Sequence, residues 1–302
     1  DYLWYPPLDD YDEPENDEYP KADLGDAPDS LRNHHGPMMA TAYWPNVPGY
    51  FPTVFDPPAD YPADGPVGPI HKDARAIWLG EWVTTEFEAD VEFDEDGPNN
   101  ILDDGYEWSD GDWSDDGWMN WDTRMPHCGE SLLKFGIGRN AARIDLPQMV
   151  YLNVWFDGDR NGDWKGEHEC PAGLVDPQHG DGLSGLASEW IIKNHAVDLN
   201  SLPWMLADWV VPDDGFRPEY AEIKVPTHLI PNLEPGAPVW MRVSIADAPA
   251  PARPDTQMSD GRGPIDGYMY GETEDYLREV YIEQEPDADL GDAPDSLSLI
   301  HI

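Results

Sequence analysis

In two stretches of the chain apolar side chains occupy every second position, and that alternation constrains the fold more than any other feature. Val150, Leu152, Val154 and Phe156 share one face of Gln148–Phe156. Val239, Met241, Val243 and Ile245 share one face of Val239–Ile245, with Trp240, Arg242 and Ser244 opposite. A period of two is that of a strand with one side on a core, not of a helix. Ala221–Val225 and Tyr276–Ile282 are further predicted strands. The 27 Gly and 32 Pro supply turn signals between them. Residues 183–194 (LSGLASEWIIKN) predict a short helix within a long insertion at about 171–218. The expected fold is mainly β: an antiparallel β-sandwich with long acidic calcium-binding loops and a short helical insertion.

The chain carries 62 acidic and 17 basic side chains, a formal charge of −45. Phosphate backbones are bound by Lys and Arg, so nucleic acid is excluded as a partner, and an anionic membrane surface with it. No apolar run approaches the roughly 18 residues that span a bilayer, so membrane insertion is not expected. Such acidity often accompanies disorder, but 14 Trp, 14 Tyr and 7 Phe supply the material of a core. Cys128 and Cys170 either form a single disulfide, stabilising by about 3–4 kcal/mol on a loop-entropy model, or remain two buried thiols. Asp1 stands where a Met would begin a nascent chain, which suggests processing or an excerpt of a longer protein.

The sharpest motif is Asp157-Gly-Asp159-Arg-Asn161-Gly-Asp163, followed by Glu167-His-Glu169. Oxygen-bearing side chains fall at relative positions 1, 3, 5 and 7, with Gly at position 6 for the sharp turn. An EF-hand-type loop wraps a hard cation with this spacing. Position 12, where the standard loop has its closing Glu, is His168, so Glu167 or Glu169 is expected to close the site, with Glu169 favoured. The bland alternative is a solvated acidic turn. Residues 86–116 hold 14 acidic side chains and neither Lys nor Arg, interleaved with Trp108 and Trp113 and followed by Trp118 and Trp121. Aromatics imply order, and order at that charge density requires divalent cations. Asp94, Asp96, Asp103, Asp104, Asp110 and Asp112 are therefore expected calcium ligands; a disordered acidic loop is the alternative.

Enzyme signatures are thin: no GxSxG, HExxH or Walker sequence is present. Carboxylates are so abundant that a glycosidase pair could be assembled from almost any fold, so their presence discriminates nothing. His34-His35 is the only close histidine pair and reads as a surface feature.

DLGDAPDS (23–30), IWLGEWVTTEFEADVEFDEDG (77–97), FDGDRNGDWKGEHE (156–169), VPTHLIPNLEPGAPVWMRVSIADAP (225–249) and GETEDYLREVYI (271–282) follow one another in an order that resembles the bacterial GEVED-domain family. The resemblance spans about residues 22–283. It implies a secreted or cell-surface β-sandwich module with calcium loops, of a kind found in adhesin-like, repetitive surface proteins. It places Asp157, Asp159, Asn161, Asp163 and Glu169 on the family's acidic loop. Glu272, Glu274 and Asp275 fall on its signature, and Asp23, Asp26 and Asp29 on its opening segment. This chain departs at Thr273 and in the insertion. Three parts follow: an extended acidic N-terminal arm (1–21), a GEVED-like sandwich domain (22–283) and a tail (284–302).

The expected function is that of a non-enzymatic extracellular structural subunit, stabilised by several calcium ions and polymerising with copies of itself into a filament or tube. The alternatives are a carbohydrate-binding or adhesive surface module, with tryptophans as platforms for glycans, and, third, a carboxylate-dependent glycoside hydrolase. Polymerisation is suggested by ADLGDAPDSL, which stands at residues 22–31 and again at 288–297. The second copy, with Leu299, Ile300 and Ile302 after it, either docks on a neighbouring subunit or opens a further covalent repeat. Deleting residues 286–302 separates these. A soluble folded monomer by light scattering is the expected product; undiminished polymerisation of the truncated chain would remove the inter-subunit role.

Overall fold

Both strongly alternating segments are strands, and each is buried on two faces where the pattern predicted one. The computed structural model describes residues 22–29, 41–53, 67–83, 85, 93–94, 97–98, 115–120, 122–171, 174, 185–207, 216–231 and 237–279. Nine strands make the two larger sheets: β1 (His71–Asp73), β2 (Ile77–Leu79), β3 (Leu132–Asn140), β4 (Met149–Phe156), β5 (Trp190–Asp198), β6 (Met205–Leu206), β7 (Pro218–Pro226), β8 (Pro238–Ala246) and β9 (Tyr268–Glu279). One sheet has the order β5-β4-β8-β9-β1 and the other β6-β7-β3-β2. Short two-stranded pairs join Thr41–Tyr43 to Val47–Pro48, Phe93–Asp94 to Gly97–Pro98, and Glu167–Glu169 to Leu186–Ser188. All pairings are antiparallel except β9 with β1, where Tyr268 lies beside His71 and Tyr270 beside Asp73 in parallel register. Among the described residues no helix is long and apolar enough to cross a membrane.

The inner faces of both large sheets contribute to one core. Ile77, Leu79, Phe135 and Ile137 come from the four-stranded sheet; Leu152, Val154, Val243 and Ile245 come from the five-stranded one, and all are fully buried. Each aliphatic side chain so buried contributes about 1.5–3 kcal/mol against leaving it in water. The opposite face of β4 and β8 carries Trp155 and Trp240. These join Ala27, Phe51, Trp164 and Trp190 in a second apolar cluster. The cover is supplied by residues 22–29 and 41–53, which are distant in sequence, so the alternation had no means of announcing it.

The helix expected at 183–194 does not form. Leu186–Ser188 and β5 occupy that stretch: the first pairs with Glu167–Glu169, the second is an edge of the five-stranded sheet, and β6, further along the expected insertion, joins the four-stranded sheet. Ile191 and Ile192 are β-branched and fit a pleated surface better than a helix. Trp190 stacks on Trp155 of β4 with ring centroids 5.9 Å apart. The only helical turn nearby among the described residues is Leu199–Ser201, capped by the Asp198 side chain. Cys128 and Cys170 form the disulfide.

Residues 22–29 are all buried, and they lie across the Thr273–Asp275 stretch of β9. Asp23 and His71 exchange backbone hydrogen bonds of 3.0 and 2.8 Å. The Asp23 carboxylate accepts from the Thr273 amide at 2.7 Å. Asp275 accepts from the Asp26 and Ala27 amides at 2.9 and 2.8 Å, and from Arg242 Nε at 2.7 Å. Arg242 and Asp275 are both wholly inaccessible to solvent. The remaining Arg242 donors reach the Pro52 and Gly261 carbonyls and Thr53 Oγ1, and its guanidinium lies 4.8 Å from the Trp164 ring. On the next turn of the pleat, Glu272 accepts from the Leu79 amide at 2.5 Å. Glu274 accepts from the Asp116 and Gly117 amides at 3.1 and 2.9 Å and from the Tyr276 hydroxyl at 2.6 Å. Burial pushes Glu274 up to about 8, with the nearby Asp116 charge adding to it and the Tyr276 hydroxyl opposing it. Burial raises Glu272 and Asp23 in the same direction. His71 gives them no positive charge, because burial lowers its imidazole to about 3.

A carboxyl group raised on folding favours the folded state below its unfolded value, and that contribution is lost as pH rises to the folded value. For Glu274 the window runs from its ordinary 4.5 to about 8. Thermal stability should therefore decline between pH 5 and pH 8. Glu274→Gln should flatten that decline by up to one proton, about 1.4 kcal/mol per pH unit at the steepest point. Melting curves of the two chains across this range check it; superimposable pH profiles would show that Glu274 does not titrate there.

Candidate metal centre

Strand β4 ends at Phe156, and the chain turns at once into the Asp157 loop. Arg160 and Gly162 have φ of 57° and 91°, the left-handed region that lets so short a segment reverse. At Gly162 a side chain would also collide with the Pro48 carbonyl, 2.1 Å from where its Cβ would stand. Position 6 of the motif thus requires glycine for conformation and for space.

The loop carboxylates organise its backbone. Asp157, with no solvent exposure, accepts from the Asn161 amide at 3.0 Å and the Gly162 amide at 2.8 Å. Asp159 accepts from the Asn161 amide at 3.1 Å, Asn161 Oδ1 from the Asp163 amide at 2.9 Å, and Asp163 from the Lys165 amide at 2.8 Å. Burial pushes Asp157 up to about 7, opposed by the Gly162 amide and the Tyr43 hydroxyl. Arg160 turns away from the loop carboxylates: its guanidinium lies over the Tyr43 ring at 4.0 Å and donates to the Pro238 carbonyl.

Glu189, which no sequence motif singles out, stands in the middle of this group. It has no solvent exposure and sits between Leu186–Ser188 and β5. It accepts from the Gly158 amide at 2.9 Å and the Gly166 amide at 2.6 Å, fastening both ends of the loop. Burial raises its carboxyl far above the ordinary range, and the charges of Asp157, Asp159 and Asp163 raise it further. Ligand atoms of Asp159, His168 and Glu189 all lie within 4.8 Å of one another, the one such trio of His, Cys, Asp or Glu side chains found among the described residues. His168 Nε2 is buried without a hydrogen-bond partner.

The expected closing residues stand elsewhere. Glu167 and Glu169 flank His168 on a strand paired residue for residue with Leu186–Ser188, and both are exposed. Successive side chains on a strand point to opposite faces. The imidazole at position 12 therefore joins the cluster while the two glutamates beside it do not. A signal for Glu189 was present: it is a single charge in the run LASEWII, where an acid is buried only with compensation.

The remaining predicted ligands divide into two sets. Asp23, Glu272, Glu274 and Asp275 accept hydrogen bonds from backbone amides, as described above, and Asp29 accepts from the Thr53 amide at 3.3 Å. The structure brings neither these nor Asp26 into the Asp159–His168–Glu189 group. Asp94 falls in the short Phe93–Asp94 strand. Asp96, Asp103, Asp104, Asp110 and Asp112 lie outside the described residues. No protein-family model, curated protein or solved structure matches the chain.

Proposed function

We propose that this chain is a non-enzymatic structural module of the cell exterior, a β-sandwich stabilised by calcium that assembles with copies of itself. The observation that carries the calcium part is Glu189. It is a buried carboxylate crowded by Asp157, Asp159 and Asp163, and it accepts from the Gly158 and Gly166 amides. Lys165 pairs with Asp163, and Arg253, whose own partner is Asp255, lies within electrostatic reach of Asp163 as well. A divalent cation would neutralise such a site. Oxygen donors outnumber the single imidazole, and a hard cation prefers oxygen. Calcium would then hold three pieces of chain together: the loop after β4, the His168 strand and the start of β5.

The disulfide supports an oxidising compartment. Extracellular calcium modules bind at about 10⁻⁴–10⁻³ M, which suits millimolar external calcium. The repeated ADLGDAPDSL segment supports self-assembly. An adhesive role towards glycans has one observation in its favour: Trp44 is 88% exposed on a tight turn, as a stacking platform for a sugar ring would be. A glycan-array screen comparing the chain with its Trp44→Ala form tests that role.

Calorimetric titration of the full chain with calcium tests the centre. Asp159→Asn and Glu189→Gln should each lower the stoichiometry by one ion. At 1 mM calcium and a dissociation constant of about 0.1 mM, one ion adds about 1.4 kcal/mol, so excess chelator should lower the melting temperature of the parent chain. Unchanged melting in chelator, or unchanged stoichiometry in both variants, would leave the Asp157 loop as an acidic turn.

A further inference from the structure

The segment buried across β9 belongs to the repeated decapeptide. Residues 22–29 read ADLGDAPD, and so do residues 288–295, which lie outside the described residues. The groove that holds 22–29 is specific for this sequence at several points. Ala22 and Ala27 have no solvent exposure and Leu24 is 5% exposed. At Gly25 an added Cβ would stand 2.6 Å from Arg242 Nη2 and 2.9 Å from Asp275 Oδ2. Those atoms belong to a buried ion pair that cannot swing aside without losing its partner. The Asp at the second position receives the Thr273 amide. The Asp-Ala pair presents its two amides to Asp275. The carbonyl of the Pro accepts from Phe51 at 3.2 Å, and the last Asp accepts from Thr53 at 3.3 Å. Residues 288–295 carry the same side chain at each of these positions.

We propose that residues 288–297 of one copy occupy the β9 groove of a second copy in place of that copy's residues 22–31. This deepens the proposed self-assembly and rests on it. Each chain has one groove and two ligands for it. The resident ligand is tethered, with an effective concentration on the order of millimolar, so exchange in the parent chain is concentration-dependent. The product is a head-to-tail contact, and repetition of such a contact gives an open chain unless its rotation closes a ring.

The two equivalent glycines make the test. Gly25→Val expels the resident segment and leaves the incoming one intact, whereas Gly291→Val does the reverse. Light scattering on full-length chains should show Gly25→Val associating at a protein concentration about tenfold or more below that required by the parent. Gly291→Val should keep the parent melting temperature and lose association, and the double variant should not associate. A synthetic peptide of residues 288–297 should return Gly25→Val assemblies to monomers, and its Gly→Val counterpart should not. If Gly25→Val does not fold alone, restoration of its melting transition by the peptide is the expected result, and no restoration overturns the proposal. Association that persists in the double variant overturns the groove while leaving self-assembly standing. Chains that stay monomeric in every form overturn both.

Discussion

The Arg242–Asp275 pair is the point on which the two layers of packing depend. It lies on the outer face of the five-stranded sheet, where the alternation of β8 would otherwise direct side chains into solvent. Buried charges persist only when their hydrogen-bonding capacity is filled, and Arg242 reaches Asp275, Thr53, Pro52 and Gly261. Asp275 in turn receives two amides of the opening segment. One ion pair thereby fixes residues 22–29, the 50–53 stretch, the 261 turn and Trp164 in a single arrangement. Lysine in place of Arg242 would offer a point charge where a planar fork is needed.

The same principle applies in the negative at Glu189. Arg242 brings a full set of donors to its carboxylate. The acids around Glu189 meet backbone amides, a tyrosine hydroxyl, one lysine and one imidazole, and the Arg253 guanidinium, hydrogen-bonded to Asp255, acts on Asp163 through its charge alone. A chain with 62 acids and 17 bases cannot provide a guanidinium for every buried carboxylate. Glu272 and Glu274 of β9 meet the shortage with backbone amides and raised proton affinity. In the proposed function, the Asp157 loop meets it with a cation from outside.

Strand positions were legible where side chains alternated: β4 and β8 fall within a residue of their expected limits, and β9 begins eight residues early because Tyr268–Asp275 mixes polar and apolar residues without period. The run 183–194 was misread because a short apolar stretch satisfies either period. Only its pairing with β4, a long-range fact, makes it a strand. The motif loop was legible down to its glycine, but its partner Glu189 lies about 20 residues past His168. Spacing within a loop carries no information about a residue delivered from another strand. The role of Asp23 and Asp275 was hidden for a related reason. An acidic side chain that will accept amide hydrogens and one that will bind a metal look the same in a sequence.

The seat of residues 22–29 also has a mechanical meaning. Its anchors are spread along the segment: Asp23 on His71, the Asp26 and Ala27 amides on Asp275, and Asp29 beside Tyr50. Tension applied along the segment loads these bonds together, in shear, where a pull across it would break them one after another. A link of this geometry is strong in the direction in which a thread is stretched and weak to peeling.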